Sequence, residues 1–378
     1  MIADDDIFSA SQLFVPTRLA LARELRGLTK AEVATMVEKS ASAISQFEGG
    51  RARPDPQTLR RLALALGMPL SFFSRRKSAS LIPLDACHFR SLRSASQRDR
   101  RRLLASGSLL CELVTELEEL VVFPPEDISR LAQVPRDMED IERIATDTRS
   151  AWGLGMGPIA NMVKLVERQG ALVLPVLEGC DEVDAFSLWH ERRPMMFLIL
   201  DKESTSRARF DAAHELGHLI MHADVVPGSP EIERQAHRFA SAFLMPRDVF
   251  LPECPRRLVW PHFHELKRRW KVSLWALIRR VFELGCLSEA TYRRACVQLN
   301  QKYNPRGIRQ PEPYEPPIER PTLLAQAIVE VADERPLTEL AQELGLSVQD
   351  LQSMLPVTLN PSAGIAGTGQ AASARKDR

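Results

Sequence analysis

The stretch Arg207–His222, read R-A-R-F-D-A-A-H-E-L-G-H-L-I-M-H, constrains this chain more than any other, because it sets H-E-x-x-H inside a run that reads as one helix. At about 3.6 residues per turn, His214 and His218 lie one turn apart on one face, so two imidazoles can take adjacent corners of a zinc tetrahedron. Glu215 then stands beside the metal, where its carboxylate can take a proton from water. The flanks supply a scaffold. Residues 171–177 read as a first strand, and 184–190 and 194–200 as two more joined at Glu191–Arg193, followed by a second helix over Glu231–Pro246.

A two-histidine site needs a third protein ligand, and a carboxylate from a following helix leaves a fourth position open for water. In the second helix Ala236, Phe239, Ala240, Phe243 and Leu244 follow helical spacing, which leaves Glu233 and His237 together on another face. Glu233 is the expected ligand, with His237 hydrogen-bonded to one of the ligands. The same spacing also fits a solvated face of Glu231 and Glu233 with His237 at the surface.

At these residues the chain closely resembles the ImmA/IrrE family of metallopeptidases, whose pattern is H-E-L-G-H followed by E-x-x-A-[ND]-x-F-A-x-x-L-L-M-P. The match runs over His214–His218 and then Glu233, Ala236, Phe239, Ala240, Leu244, Met245 and Pro246. The resemblance implies a thermolysin-like zinc site with His214, His218 and Glu233 as ligands and Glu215 as general base. His237 departs from the family's Asn or Asp. His222 continues the histidine face, but a fourth ligand would close the site to water, so a packing or supporting role is expected. For the group that stabilises a tetrahedral oxyanion, His264 and His190 are candidates by residue type alone.

The N-terminal region carries a different chemistry. Arg18–Arg26 ends at Gly27, and Thr29-Lys30-Ala31-Glu32 is a capping box that opens the next helix. The helix Ala41–Glu48 is almost uncharged, with Ser42, Ser45 and Gln46 opposite Ile44 and Phe47, a surface suited to a major groove. Between Phe8 and Ser74 nine Lys and Arg outweigh five Asp and Glu, while the whole chain carries a net charge of +1, so the positive charge is local. These residues resemble the Cro/repressor (XRE) type of helix-turn-helix domain, whose I-S-x-x-E-x-G signature falls on Ile44, Ser45, Glu48 and Gly50. Two positions depart: Glu38 stands where the family's turn glycine usually is, and Lys30 where glutamine often opens the second helix. Glu38 suits the turn if it avoids positive φ. The expected DNA contacts are Ser42, Ser45 and Gln46 for sequence and Lys30, Arg51 and Arg53 for affinity.

A hydrophobic content of 44% over 378 residues supports two or three cores. No run of about 18 uncharged apolar residues exists and the acidic start is unlike a secretory signal, so a cytoplasmic protein with no membrane contact is expected. Six scattered cysteines without a C-x-x-C pair read as reduced thiols. Phe89–Arg102 holds six arginines against one acid; it fits either phosphates flanking the helix-turn-helix or the solvated start of a helix over Arg98–Val122. That helix spaces Leu103, Leu110, Leu113, Leu117 and Leu120 for a homodimer contact or, more ordinarily, for packing on the following domain.

The expected architecture is multi-domain and mainly α: a five-helix helix-turn-helix bundle (11–75), a helical linker (76–135), an α+β zincin-like domain with a small sheet (136–300), a Pro-rich linker (301–321), a short helical bundle (322–356) and a disordered tail (357–378). The acidic surface of the C-terminal helices favours a docking bundle over a second DNA reader. Joined in one chain, the two resemblances imply a bacterial regulator that binds a double-stranded operator and uses zinc to cleave a repressor or other regulatory protein. The alternative is a transcription factor whose zincin-like domain senses a metal, a metabolite or a partner without cutting.

Overall fold

The computed structural model describes residues 10–75, 82, 96–131, 135–175, 185–199, 204–225, 229–305 and 310–355; Arg90, Arg93 and the tail beyond 355 lie outside them. After a helical turn at residues 10–12, the N-terminal bundle holds α1 (Pro16–Leu25), α2 (Lys30–Met36), α3 (Ala41–Glu48), α4 (Pro56–Leu66) and α5 (Leu70–Ser74). Their starts follow from side-chain caps. Thr29 and Glu32 close the capping box on α2, while Ser40 and Asp55 accept from Ala43 N and Thr58 N at the starts of α3 and α4. Leu19, Val33, Ile44, Leu59 and Leu62 are fully buried and make the bundle's core. The condition placed on Glu38 is not met: it sits at φ +56°, in the left-handed region where the turn glycine would stand.

The long helix α6 (Gln97–Leu120), capped by Ser96, is the spine of the molecule. Leu103, Leu110, Leu113 and Leu117 are buried within the chain and Leu120 is partly buried, so the leucine stripe serves intrachain packing. One side meets α1, where buried Arg18 pairs with Glu112 at 2.8 Å. The other side meets a sheet of β1 (Leu172–Pro175), β2 (Ala185–His190) and β3 (Arg193–Leu198) in the order β1-β3-β2, with β1 parallel and β2 antiparallel to β3.

Period-two alternation divides the sheet between two cores. Leu172, Leu174, Phe186, Leu188, Met195 and Phe197 face α6 and the N-terminal bundle, whereas Val173, Ala185, Met196 and Leu198 face the opposite layer. Gly107 in mid-helix faces this contact: a Cβ there would stand 3.2 Å from Ile82 Cδ1, tighter than an ordinary contact, and 3.4 Å from the Phe197 ring. The opposite layer holds α7 (Met138–Ala151), α8 (Met162–Arg168), α9 (Thr205–Met221), α10 (Pro230–Leu244) and α11 (Arg247–Phe250). α12 (Trp260–Trp270), α13 (Leu274–Glu283) and α14 (Glu289–Tyr303) complete it.

The passage expected to be a semi-rigid linker is instead a fixed strap. Its prolines exclude regular ladders, but three glutamates each cap a helix start. Glu312 accepts from Leu274 N (2.8 Å), Glu315 from Ser206 N (2.8 Å) and Glu319 from Met162 N (2.7 Å). Buried Lys267 pairs with Glu312 and Glu315, and buried Arg209 with Glu319. Beyond the strap come α15 (Leu323–Val331), α16 (Leu337–Leu344) and α17 (Val348–Met354), whose buried leucines join the same core as the N-terminal bundle. Gly345, at φ +67°, lies where a Cβ would meet Phe72 Cα at 2.7 Å, and Asp350 pairs with Arg26 at 2.7 Å. The C-terminal helices thus dock on the helix-turn-helix bundle of their own chain.

Candidate metal centre and candidate DNA interface

α9 and α10 cross where Gly217 lets them approach: a Cβ there would lie 3.0 Å from the ring of fully buried Phe239. The crossing brings His214 and His218 of α9 against Glu233 of α10, with one ligand-capable atom from each within 4.8 Å of the others. His214 Nε2 and His218 Nε2 are 3.1 Å apart, and the Glu233 oxygens stand 3.3 and 3.7 Å from them. Both Glu233 oxygens are buried without a hydrogen-bond partner. A buried carboxylate in that state is costly unless a cation completes it, and two nitrogens plus one oxygen form the donor set of a catalytic zinc site. Those residues fit such a metal.

The outer nitrogens of both candidate ligand histidines are held. Gln235 donates Nε2 to Pro135 O (3.3 Å), which turns its Oε1 towards His222 Nε2 (2.9 Å). A neutral His222 then donates from Nε2 and accepts at Nδ1 from His218 Nδ1, 3.1 Å away. This chain leaves the lone pair of His218 on Nε2, facing Glu233. His237 Nδ1 lies 2.9 Å from His214 Nδ1, so histidine fills the position where the resembled family has Asn or Asp, with Phe210 packed edge-on against its ring.

Glu215 is buried beside its neighbours, and Ser187 Oγ on β2 donates to its Oε2 at 2.7 Å. Burial pushes the Glu215 carboxyl well above the usual carboxylate range, a shift the Ser187 hydrogen bond opposes and the Glu233 charge reinforces. Sequence reading missed Ser187 and Gln235. Ser187 had a signal, being a polar residue between Ala185 and Trp189 on the face that meets α9, whereas Gln235 had none, because its partners lie on α9 and at Pro135. His190 turns to the other face of the sheet and bonds Thr115 at 3.1 Å. His264 lies in a cleft with Trp260, Gln298 and Tyr303. Neither is brought to the metal-ligand cluster.

In the N-terminal bundle, Ser42, Ser45 and Gln46 are exposed on α3, while Ile44 and Phe47 anchor its other face. Glu48 is structural. It accepts from Arg23 Nε (2.5 Å) and Nη2 (3.1 Å), and Arg23 also donates to Leu28 O, which locks α3 against α1. Lys30 Nζ reaches Ser45 Oγ at 3.2 Å and Glu48 at 3.4 Å. Arg51 and Arg53 are exposed after α3, Arg53 donating to Gln12 O at 3.1 Å.

Residues 167–282 match the family described as the IrrE N-terminal-like domain (Peptidase_M78), and residues 19–73 match a helix-turn-helix family. A protein named multiprotein-bridging factor 1 from Candida albicans is 37% identical over 70 residues, covering 18% of this chain and 46% of that protein. The chain spans about half the length of that relative. Among the described residues no helix is long and apolar enough to cross a membrane. These matches fall on the two regions whose geometry is described above, and the chain therefore joins a Cro/repressor-type helix-turn-helix domain to an IrrE/ImmA-like peptidase-family domain.

Proposed function

We propose that this chain is a regulator that binds a double-stranded operator and, through a zinc site of His214, His218 and Glu233, cleaves a regulatory protein such as a repressor. The observation that carries this reading is the convergence of two imidazole nitrogens and an otherwise unpartnered buried carboxylate, with Glu215 alongside. Zinc bound there supplies the Lewis acid that polarises water and a peptide carbonyl. Ser187 anchors Oε2 of Glu215, which leaves Oε1 to take the proton from the attacking water and pass it to the leaving amine. Gln235, His222 and His237 hold the ligand imidazoles in the tautomers that face Glu233. At the other end of the chain, Ser42, Ser45 and Gln46 read base edges, while Lys30, Arg51 and Arg53 meet phosphates. DNA binding places the protein's action in the cytoplasm.

The test pairs zinc content with a reporter. Glu233→Ala loses zinc while Glu231→Ala retains it; equal retention moves the third ligand elsewhere. Glu215→Gln keeps side-chain length but removes basicity, so it retains zinc and DNA binding yet neither cleaves a candidate repressor nor relieves repression. A Glu215→Gln variant that relieves repression as the wild type does overturns the peptidase reading in favour of a sensor.

A further inference from the structure

We propose that the start of α6 is a second phosphate-binding element, in which Arg98, Arg101 and Arg102 extend the duplex DNA footprint of the helix-turn-helix domain. This rests on the reading of that domain as DNA-binding. Arg98, Arg100, Arg101 and Arg102 crowd the first turns of α6 against one acid, Asp99, which is engaged by Ser96 through Oγ (2.6 Å) and its own N–H (3.1 Å). Among the described residues none of the four arginines enters an ion pair. Cations in the first turn of a helix oppose its macrodipole. Arg98, in the first turn, therefore works against α6, and its placement calls for another reason.

The geometry supplies one. Arg98 lies across the α1–α2 turn: at Gly27, φ +65°, a Cβ would meet Arg98 Nε at 3.0 Å and Arg102 Cδ at 3.8 Å. Two residues on, Thr29 caps α2, whose first residue Lys30 touches Ser45 of α3. Arg98, Arg101 and Arg102 share one helical face, and Arg98 and Arg101 are exposed. A continuous surface thus runs from Ser42, Ser45 and Gln46 through Lys30 to these arginines. The acid at that turn, Glu32, accepts from Thr29 N at 2.6 Å and feels the Arg98 charge without forming an ion pair with it. Duplex DNA is the occupant this continuity favours, because a groove reader is flanked on its own side by the phosphate backbone.

The test uses full-length protein and a labelled mixed-sequence duplex of about 30 base pairs, titrated across salt. Each lost phosphate contact lowers the slope of log K against log salt by about 0.9. Arg98→Ala/Arg101→Ala should therefore flatten the slope by about 1.8, and its deficit against wild type should shrink about 12-fold between about 50 and about 200 mM salt. Arg143→Ala, an exposed arginine on α7, serves as the control and leaves the slope unchanged. Equal slopes for wild type and double variant, or a loss of affinity accompanied by a lowered unfolding temperature, overturn the proposal. Failure of the wild type to bind any duplex overturns the underlying DNA-binding reading instead.

Discussion

Glu319→Ala tests whether the Pro-rich passage is a structural strap. The wild-type carboxylate, 7% exposed, accepts from Met162 N at 2.7 Å and Val163 N at 3.1 Å and pairs with Arg209, which is fully buried. Burial lowers the Arg209 guanidinium to about 10, so it remains charged at neutral pH. The substitution leaves that charge with only the carbonyls of Lys271 and Ile159, at 3.0 and 2.8 Å, and frees two amides at the start of α8. Removing one partner of a buried pair costs about 3–5 kcal/mol, so the chain should lose about that much stability in urea and become sensitive to proteolysis in the strap. Arg209→Met/Glu319→Leu, which removes both charges, should recover most of the loss. Glu289→Ala breaks a solvent-exposed pair with Arg293 and should cost less than about 1 kcal/mol. A cost below about 1 kcal/mol for Glu319→Ala would mean that the strap is not held by this pair and that the linker reading was right.

Glu38→Gly should stabilise the N-terminal bundle by about 0.5–1 kcal/mol: relief of a left-handed conformation outweighs glycine's extra chain entropy, and the lost Arg61 pair is solvent-exposed. A lower unfolding temperature for this variant would refute the strain argument. Burial pushes Glu167 up to about 7, against hydrogen bonds from Leu323 N and Thr322 N. Because the folded value is raised, the stabilisation from proton uptake is fully present below about pH 4.3 and is lost as pH rises through about 7. The stability of wild type relative to Glu167→Gln should therefore fall across that window and level off above it; urea denaturation at a series of pH values shows a flat difference if the argument is wrong.

Local rules made much of this molecule legible. The capping box at Thr29, the alternation in β2 and β3 and the one-turn spacing of His214 and His218 each depend on residues a few positions apart, and the structure has the corresponding elements. Glu233 was legible for the same reason, because helical spacing separated it from the apolar face of α10. What escaped depends on partners distant in sequence. The passage that holds the three glutamates read as a Pro-rich linker, since nothing near Glu319 announces Arg209 or the start of α8. The leucine stripe of α6 was legible as packing on the following domain, which its contact with the sheet matches, but that α1 covers its other side was not.

The shared sheet bears on how the two candidate sites relate within one chain. Along β2, Phe186 and Leu188 belong to the core that contains the helix-turn-helix bundle, while Ser187 between them holds Glu215. On α6, Arg18 of α1 meets Glu112, one residue from Cys111, whose thiol lies 3.3 Å from the Met195 sulfur of β3. The helix-turn-helix bundle and the candidate metal site therefore lean on opposite faces of the same strands. Side chains on the two faces do not touch, so small changes at one site are absorbed by its own layer. A displacement of the β2 backbone is different, because it moves Phe186, Ser187 and Leu188 together. Any signal passing between the sites by this route must shift the strand as a unit, and an isosteric change such as Glu215→Gln, in which the Gln carbonyl can still accept from Ser187, should leave β2 in place and so should not reach the helix-turn-helix bundle through it.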